Sequence, residues 1–129
     1  APEVARQEVG DARIDVYAMG VMLWELCAGK RLLSGDAQKH LEEVAQGAFA
    51  IPKLAKTRGV PPELDDVIAK LCANDPDERY ANAATAATDL AKILAKATPG
   101  KNGERSVPGP VRVALRCIAR LRSHDGAAD

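Results

Sequence analysis

D-V-Y-A-M-G-V-M-L-W-E-L-C-A, residues 15–28, contains the longest apolar run of the chain and predicts its central helix. Asp15 is expected to cap this helix, because its carboxylate can accept hydrogen bonds from the free N–H groups of the first turn. Gly29 is expected to end the helix, since glycine readily adopts the left-handed conformation at that position. Apolar side chains cover nearly the whole circumference, so the helix should be buried on every side. Part of its cover is expected to come from sequence outside this chain.

A second helix is predicted at about residues 36–46. Asp36 is a favourable cap at its start, and Gly47 is a favourable stop at its end. The pattern between them is polar, with a few apolar side chains on one side. We therefore expect this helix to lie on the surface.

Two further helices are predicted between residues 60 and 97. The first opens at V-P-P-E, residues 60–63, with proline in its first turn, and D-P at residues 75–76 ends it. Its apolar residues recur at the spacing of an amphipathic helix: Leu64, Val67, Ile68 and Leu71. The second helix begins after Asn82, a good cap, and its alanine-rich sequence continues to about Ala97.

The composition favours an all-α fold. The 129 residues are 47% hydrophobic but only 3% aromatic, and the apolar weight lies in Ala, Leu and Val rather than in alternating β-branched runs. The 18 basic and 18 acidic residues balance, so the chain has no global attraction to nucleic acid or membranes. We expect no nucleic-acid partner.

The cysteines and histidines do not form a disulfide or metal-binding pattern. Cys27, Cys72 and Cys117 lie far apart, each inside an apolar helical stretch, so we interpret them as small core residues of a protein in the reducing cytoplasm. His40 and His124 have no ligand partners at helical spacing. A metal site is therefore not expected.

The composition changes after the last of these helices. Residues 98–110 are rich in Gly, Pro, Lys, Asn and Ser, which is typical of a flexible linker. Residues 111–129 are interpreted as a basic amphipathic helix or a disordered tail, with Arg112, Arg116 and Arg120 on one face. Contact of residues 111–122 with an anionic membrane surface is a less favoured alternative to a solvated basic face.

Three short motifs resemble parts of a known family. A-P-E at residues 1–3, D-x-[WY]-[AS]-x-G at 15–20 and D-P-x-x-R-[YP] at 75–80 occur in the order and separation found in eukaryotic-like Ser/Thr protein kinases of bacteria. The resemblance covers about residues 1–97. It implies an all-α fragment of the kinase C-lobe, that is, the C-terminal part of the helical lobe from the A-P-E motif onward.

The resemblance also implies roles for individual residues. Glu3 and Arg79 would form a buried ion pair that ties the end of the activation segment to the helical lobe. Asp15 would receive hydrogen bonds from the backbone of the catalytic loop and so anchor it. These roles are structural, and no catalytic residue is expected in this chain.

Further roles follow for the central helix. Met22 and Leu26 match positions that form the base of the hydrophobic column beneath the adenine ring. Glu25 is the one candidate for contact with a basic residue of a peptide substrate. Ordinary core packing is the alternative for Met22 and Leu26.

The resemblance implies that a parent enzyme transfers the γ-phosphoryl group of ATP to a Ser or Thr hydroxyl, with Mg²⁺. The glycine-rich loop, the strand lysine, the catalytic aspartate and the metal ligands would all precede Ala1. We therefore expect no cofactor in this fragment and no activity from it alone. Its partners would be the preceding part of the kinase domain and, for the parent, a protein substrate. A pseudokinase scaffold and a free-standing helical interaction module are the alternatives.

Overall fold

The computed structural model describes residues 1–96, whose regular elements are all helices, with no strand among these residues. The helices are α1 (Pro2–Ala5), α2 (Arg13–Ala28), α3 (Ala37–Ala45), α4 (Ala55–Arg58), α5 (Pro62–Leu71), a 3-10 helix (Pro76–Glu78) and α6 (Ala83–Lys96). The prediction of an all-α fold is confirmed. The predicted linker and basic tail, at 98–110 and 111–129, lie outside the described residues.

The predicted cap of α2 is wrong. The helix begins at Arg13, and Asp15 lies inside its first turn without capping it. The turn closes earlier because the N–H of Ile14 donates to the carbonyl of Asp11 at 3.0 Å, and the Asp11 carboxylate accepts from the N–H of Arg13 at 2.9 Å. At the other end Gly29 is left-handed, with φ of 68°, as predicted.

The other predicted caps are confirmed. The Asp36 side chain accepts from the N–H groups of Gln38 and Lys39 at the start of α3. The Asn82 side chain accepts from the N–H of Thr85 at the start of α6. Each bond satisfies a donor that has no partner within its helix.

Helix α5 starts as predicted, with Pro62 in its first turn, but ends before D-P at residues 75–76. Its last residue is Leu71, and Cys72 closes the final turn by donating to the carbonyl of Ile68 at 3.0 Å. The Asp75 side chain instead accepts from the N–H of Asp77 and starts the 3-10 helix. The D-P-x-x-R-Y motif at residues 75–80 therefore contains a short 3-10 helix of its own.

Helix α4 was not predicted, and its cap comes from another helix. Asp65 of α5 is buried, and its two carboxylate oxygens accept from the N–H groups of Leu54 and Ala55 at 2.8 and 2.9 Å. A buried carboxylate is tolerated when it receives such bonds. This one holds the segment before α4 against α5.

The core lies where α2 packs on α5 and α5 packs on α6. Four of its side chains are almost completely buried: Leu64, Ile68, Leu71 and Leu90. Gly20 lets α2 and α5 approach closely. A Cβ at Gly20 would lie 2.7 Å from the Cβ of Leu71 and would also collide with the Sγ of Cys72.

The burial of α2 is one-sided within residues 1–96, which agrees with the expectation that part of its cover comes from sequence outside this chain. Val16, Leu23 and Trp24 are buried, whereas Met22 is 61% exposed and Leu26 is 49% exposed. Met22 and Leu26 are four residues apart and therefore share one face. An apolar stripe on the central helix is left in contact with solvent.

Candidate functional site

Glu3 and Arg79 meet in a buried two-point ion pair. Nη1 of Arg79 lies 2.7 Å from Oε1 of Glu3, and Nη2 lies 2.8 Å from Oε2. The two residues are 76 positions apart in sequence, and both side chains are almost fully buried. The structure therefore joins the A-P-E segment to the segment that follows the 3-10 helix.

The remaining donors of the Arg79 guanidinium are also satisfied. Nε donates to the carbonyl of Ala73 at 2.7 Å, Nη1 to that of Arg13 at 3.1 Å, and Nη2 to that of Asn74 at 3.4 Å. The Tyr17 ring lies beneath the guanidinium, with 5.0 Å between its centroid and Cζ. A buried charge is tolerated when its pairing and hydrogen bonding are this complete.

Local structure positions both members of the Glu3–Arg79 ion pair. Helix α1 has Pro2 at its start, which places Glu3 in the first turn, and the N–H of Glu8 donates to the Glu3 carbonyl at 2.8 Å. Arg79 follows the 3-10 helix in an extended conformation, with φ of −75° and ψ of 169°. The hydrogen bond to Arg79 lowers the pKa of Glu3 below its ordinary value of 4.5, although burial opposes this. The pair is therefore ionised at neutral pH.

A second arginine site lies beside the first but faces solvent. Nη2 of Arg13 lies 2.8 Å from Oδ2 of Asp11, and its Nη1 contacts Asp77 of the 3-10 helix. Hydrogen bonds from Arg13 lower the pKa of Asp11 to about 2. This pairing was not predicted, although the D-x-R spacing at residues 11–13 is a local signal that favours it.

Tyr80, the last residue of the D-P-x-x-R-Y motif, connects this region to α6. Its ring is buried, and its hydroxyl donates to Oδ2 of Asp89 at 2.8 Å. Nζ of Lys70 lies 4.4 Å from the ring centroid. Burial raises the pKa of Tyr80, and its hydrogen bond lowers that of Asp89. The motif gave no signal for Asp89, because the contact crosses from a turn to a separate helix.

The other candidate residues of α2 are not brought together with the ion pair. Asp15 is exposed, and its carboxylate has no hydrogen bond within residues 1–96. Met22 and Leu26 form the exposed apolar stripe. Glu25 is half-buried, and its Oε1 accepts from the N–H of Leu32 at 3.0 Å. That bond gives Glu25 a structural role, while its contact with substrate stays a prediction.

The charged groups around Arg79 are paired within residues 1–96. The carboxylates and guanidiniums around Arg79 are committed to one another, and residues 1–96 contain no cluster of His, Cys, Asp and Glu suited to a metal ion. Cys27 and Cys72 are free, and burial raises their pKa values to about 11 and about 12. Such thiols are poor nucleophiles.

Across the part of the chain that the structure covers, no helix is both long and apolar enough to cross a bilayer.

Comparison with known proteins identifies the family. The model of the protein kinase domain matches residues 1–91. The chain is 38% identical over 98 residues to the serine/threonine-protein kinase PknB of Mycolicibacterium smegmatis, which covers 72% of this chain and 15% of that protein. It is 36% identical to PknB of Mycobacterium tuberculosis over 98 residues, which again cover 72% of this chain and 15% of that protein.

A second kinase matches more of the chain. The serine/threonine-protein kinase PknL of Mycobacterium tuberculosis is 34% identical over 122 residues, which cover 94% of this chain and 30% of that protein. No solved structure shows a significant match. The chain thus spans between 15% and 30% of the length of these relatives. It belongs to the protein kinase family and is a fragment of a Ser/Thr protein kinase domain.

Proposed function

We propose that the kinase domain containing this chain transfers the γ-phosphoryl group of ATP to Ser or Thr hydroxyls of proteins. The family match and the names of the relatives support this reaction. ATP and Mg²⁺ would supply the phosphoryl group and neutralise its charge during transfer. The residues of this chain are not assigned to either: its sequence has no glycine-rich phosphate loop, and residues 1–96 have no acidic cluster suited to the metal.

The role proposed for this chain is to support the catalytic segments. The observation that carries it is the Glu3–Arg79 pair, because it fixes the A-P-E segment to the helical lobe through a buried, fully hydrogen-bonded contact. In kinases this segment closes the activation loop. Positioning of the reacting groups, together with electrostatic stabilisation, is almost all that a kinase contributes to phosphoryl transfer. A rigid support therefore acts on rate without touching substrate.

The exposed groups of α2 suit the same role. Asp15 offers a carboxylate without a partner in residues 1–96, which fits an anchor for backbone N–H groups of the catalytic loop. Met22 and Leu26 offer an apolar stripe that fits the base of the hydrophobic column. A free-standing module would be expected to cover such a stripe. The chain on its own is proposed to be inactive.

Substitution of Asp15 in the parent kinase domain tests the proposal. Asp15→Ala should lower the rate of phosphoryl transfer by about tenfold or more, because a misplaced catalytic loop is costly. In the 129-residue chain the same substitution should change the melting temperature little, since Asp15 is exposed within residues 1–96 and caps nothing. The measurement is transfer of labelled phosphate from ATP to a Ser/Thr protein substrate, with kcat separated from KM.

Asp11→Ala is the matched control, since Asp11 is another exposed carboxylate at the start of α2 and pairs with Arg13. It should leave the rate nearly unchanged. A full rate in Asp15→Ala would refute the anchoring role. Absence of transfer from the intact unsubstituted domain would favour the pseudokinase scaffold instead, and transfer by the 129-residue chain alone would refute its proposed inactivity.

A further inference from the structure

Within residues 1–96, four of the six basic side chains without a partner lie around α4. Elsewhere most basic side chains have one: Arg6, Arg13, Lys39, Arg79 and Lys92 form ion pairs, and Lys70 lies over the Tyr80 ring. Around α4 the basic side chains have no such partner among the described residues. Within residues 1–96, no ion pair or hydrogen bond engages the charged groups of these side chains: Lys30, Lys53, Lys56 and Arg58. Among the described residues, Arg31 and Lys96 also form no ion pair or side-chain hydrogen bond.

These side chains line two hollows that flank α4. Lys30, Lys53 and Arg58 border the first, and Lys53 and Lys56 border the second. Lys53 and Thr57 contribute to both hollows, so the two adjoin and together form a depression around α4. We refer to the depression bordered by Lys30, Lys53, Lys56 and Arg58 as the basic groove.

The groove has an apolar floor. The apolar residues that line the first hollow are Trp24, Ala28, Pro52 and Leu54, of which Pro52 is exposed. Nε1 of Trp24 donates to the carbonyl of Pro52 at 2.8 Å, which fixes the floor. The Asp65 carboxylate holds the start of α4 and thus the wall that carries Lys56 and Arg58. A site held in place in advance loses less entropy when it binds.

Acidic groups at the groove do not cancel its charge. Asp65 lines the second hollow, but its oxygens accept from Leu54 and Ala55, and it is buried. Asp66 is the exposed acidic residue in the lining. The cations outnumber it, so the surface has a net positive charge.

We propose that the basic groove binds an acidic segment of a protein partner in an extended conformation. Carboxylates of the segment would pair with the cations at the rim, and an apolar side chain would rest on the floor. The inference goes beyond the proposed kinase function, because the groove contains none of the residues assigned to that function.

The shape and lining favour a peptide over other anionic partners. A membrane surface is planar, whereas these cations border a depression, and none of the exposed large apolar residues lines it: Val4, Val9, Met22, Leu26, Leu33 and Leu41. Binding of single-stranded nucleic acid relies on exposed aromatic rings for stacking, and Trp24, the aromatic residue of the lining, is buried.

Fluorescence of Trp24 provides a local readout, because it is the only tryptophan of the chain and lies on the groove floor. The probe is a tryptophan-free peptide rich in Asp, Glu and Ser with one central Leu, titrated into the full chain. The same peptide with Asn and Gln at its acidic positions is the neutral control. We expect a saturable fluorescence change with the acidic peptide and none with the neutral one.

The test variant is Lys53→Gln/Lys56→Gln/Arg58→Gln. Its control is Lys39→Gln/Lys92→Gln/Lys96→Gln, which removes equal charge from α3 and α6. The groove variant should weaken peptide binding by about tenfold or more, since each exposed pair contributes modestly and the losses accumulate. The control should stay within about twofold, and circular dichroism melting should show that both fold.

Equal weakening in the two variants would overturn the proposal, because it would indicate non-specific attraction. Absence of a Trp24 signal with the acidic peptide would overturn it as well. Two further probes are phosphatidylserine vesicles and a DNA oligonucleotide. If either bound in a groove-dependent way while the peptide did not, a different class of partner would be assigned to the groove.

Discussion

Two arginines lie side by side at the start of α2 and show how strongly the surroundings decide the role of one side chain. Arg79 is buried, pairs with Glu3 and donates to three carbonyls, one of which belongs to Arg13. Arg13 itself pairs with Asp11 and Asp77 at the surface. Both form charged hydrogen bonds of similar length. Water competes for the partners of Arg13 but not for those of Arg79.

The difference predicts unequal consequences when a partner is lost. At the surface, water replaces a missing carboxylate, so exposed ion pairs contribute little to stability. In the interior, a single remaining charge has no replacement partner. The buried pair adds little net stability compared with apolar residues, yet the fold depends on both members being present.

The largest expected effect is that of Arg79→Ala. It should lower the free energy of unfolding by about 3–5 kcal/mol, because the Glu3 carboxylate would remain buried without its partner. Arg13→Ala should change stability far less. Urea denaturation of the two variants measures the contrast. Similar losses of stability in the two variants would mean that burial does not distinguish the two sites. In the parent kinase, Arg79→Ala should lower activity along with stability.

A smaller effect is expected from Gly20→Ala, which tests the packing behind the buried site. The added Cβ would collide with Leu71 and Cys72, and overpacking of this kind costs about 1–3 kcal/mol. Gly20 lies beside Cys72, whose Sγ–H donates to the carbonyl of Tyr17 at 3.7 Å, and the Tyr17 ring lies beneath Arg79. Thermal unfolding measures the loss, which the double variant with Cys72→Ala should partly restore. A stabilised Gly20→Ala would show that helix propensity outweighs the close approach.

The smallest effect concerns acid stability. The folded pKa of Glu3 is depressed, so its stabilising contribution is complete above about 4.5 and is lost as the pH falls through the folded pKa. Glu3→Gln should therefore reduce the decline of unfolding free energy below that pH. Asp11→Asn should have a smaller influence, although the pKa of Asp11 is lowered too, because this carboxylate is exposed and solvent screens its pairing with Arg13. Unfolding measured between neutral and acidic pH compares them, and equal changes in both variants would contradict the distinction.

Sequence patterns predicted the local parts of the fold well. The caps at Asp36 and Asn82 are bonds to residues two or three positions away, so residue type and spacing sufficed. The predicted cap at Asp15 was wrong because Asp11 and Ala12 closed the first turn earlier. Helix α4 was missed because Asp65, from a later helix, supplies its cap.

In the candidate site, too, contacts between distant segments did not follow from local sequence patterns. Resemblance to kinases, rather than any spacing, suggested that Glu3 and Arg79 pair, since 76 positions separate them. Nothing local predicted that Arg79 would also bind three carbonyls or that Tyr80 would reach Asp89. No local pattern predicted the basic groove either, because Lys30 and Lys53 become neighbours only through the packing of α2 against the segment before α4.

The helical class, most helix boundaries and the membership of the kinase family followed from the chain itself, because periodicity, capping and motif order are written in neighbouring residues. Burial, by contrast, depended on tertiary packing. Packing buried the side chain of Arg79 and left that of Arg13 at the surface. It also left Met22 and Leu26 exposed on a helix whose sequence is apolar on nearly all sides. The physical reason is that solvent access depends on which distant segments come together, and a local pattern does not encode that.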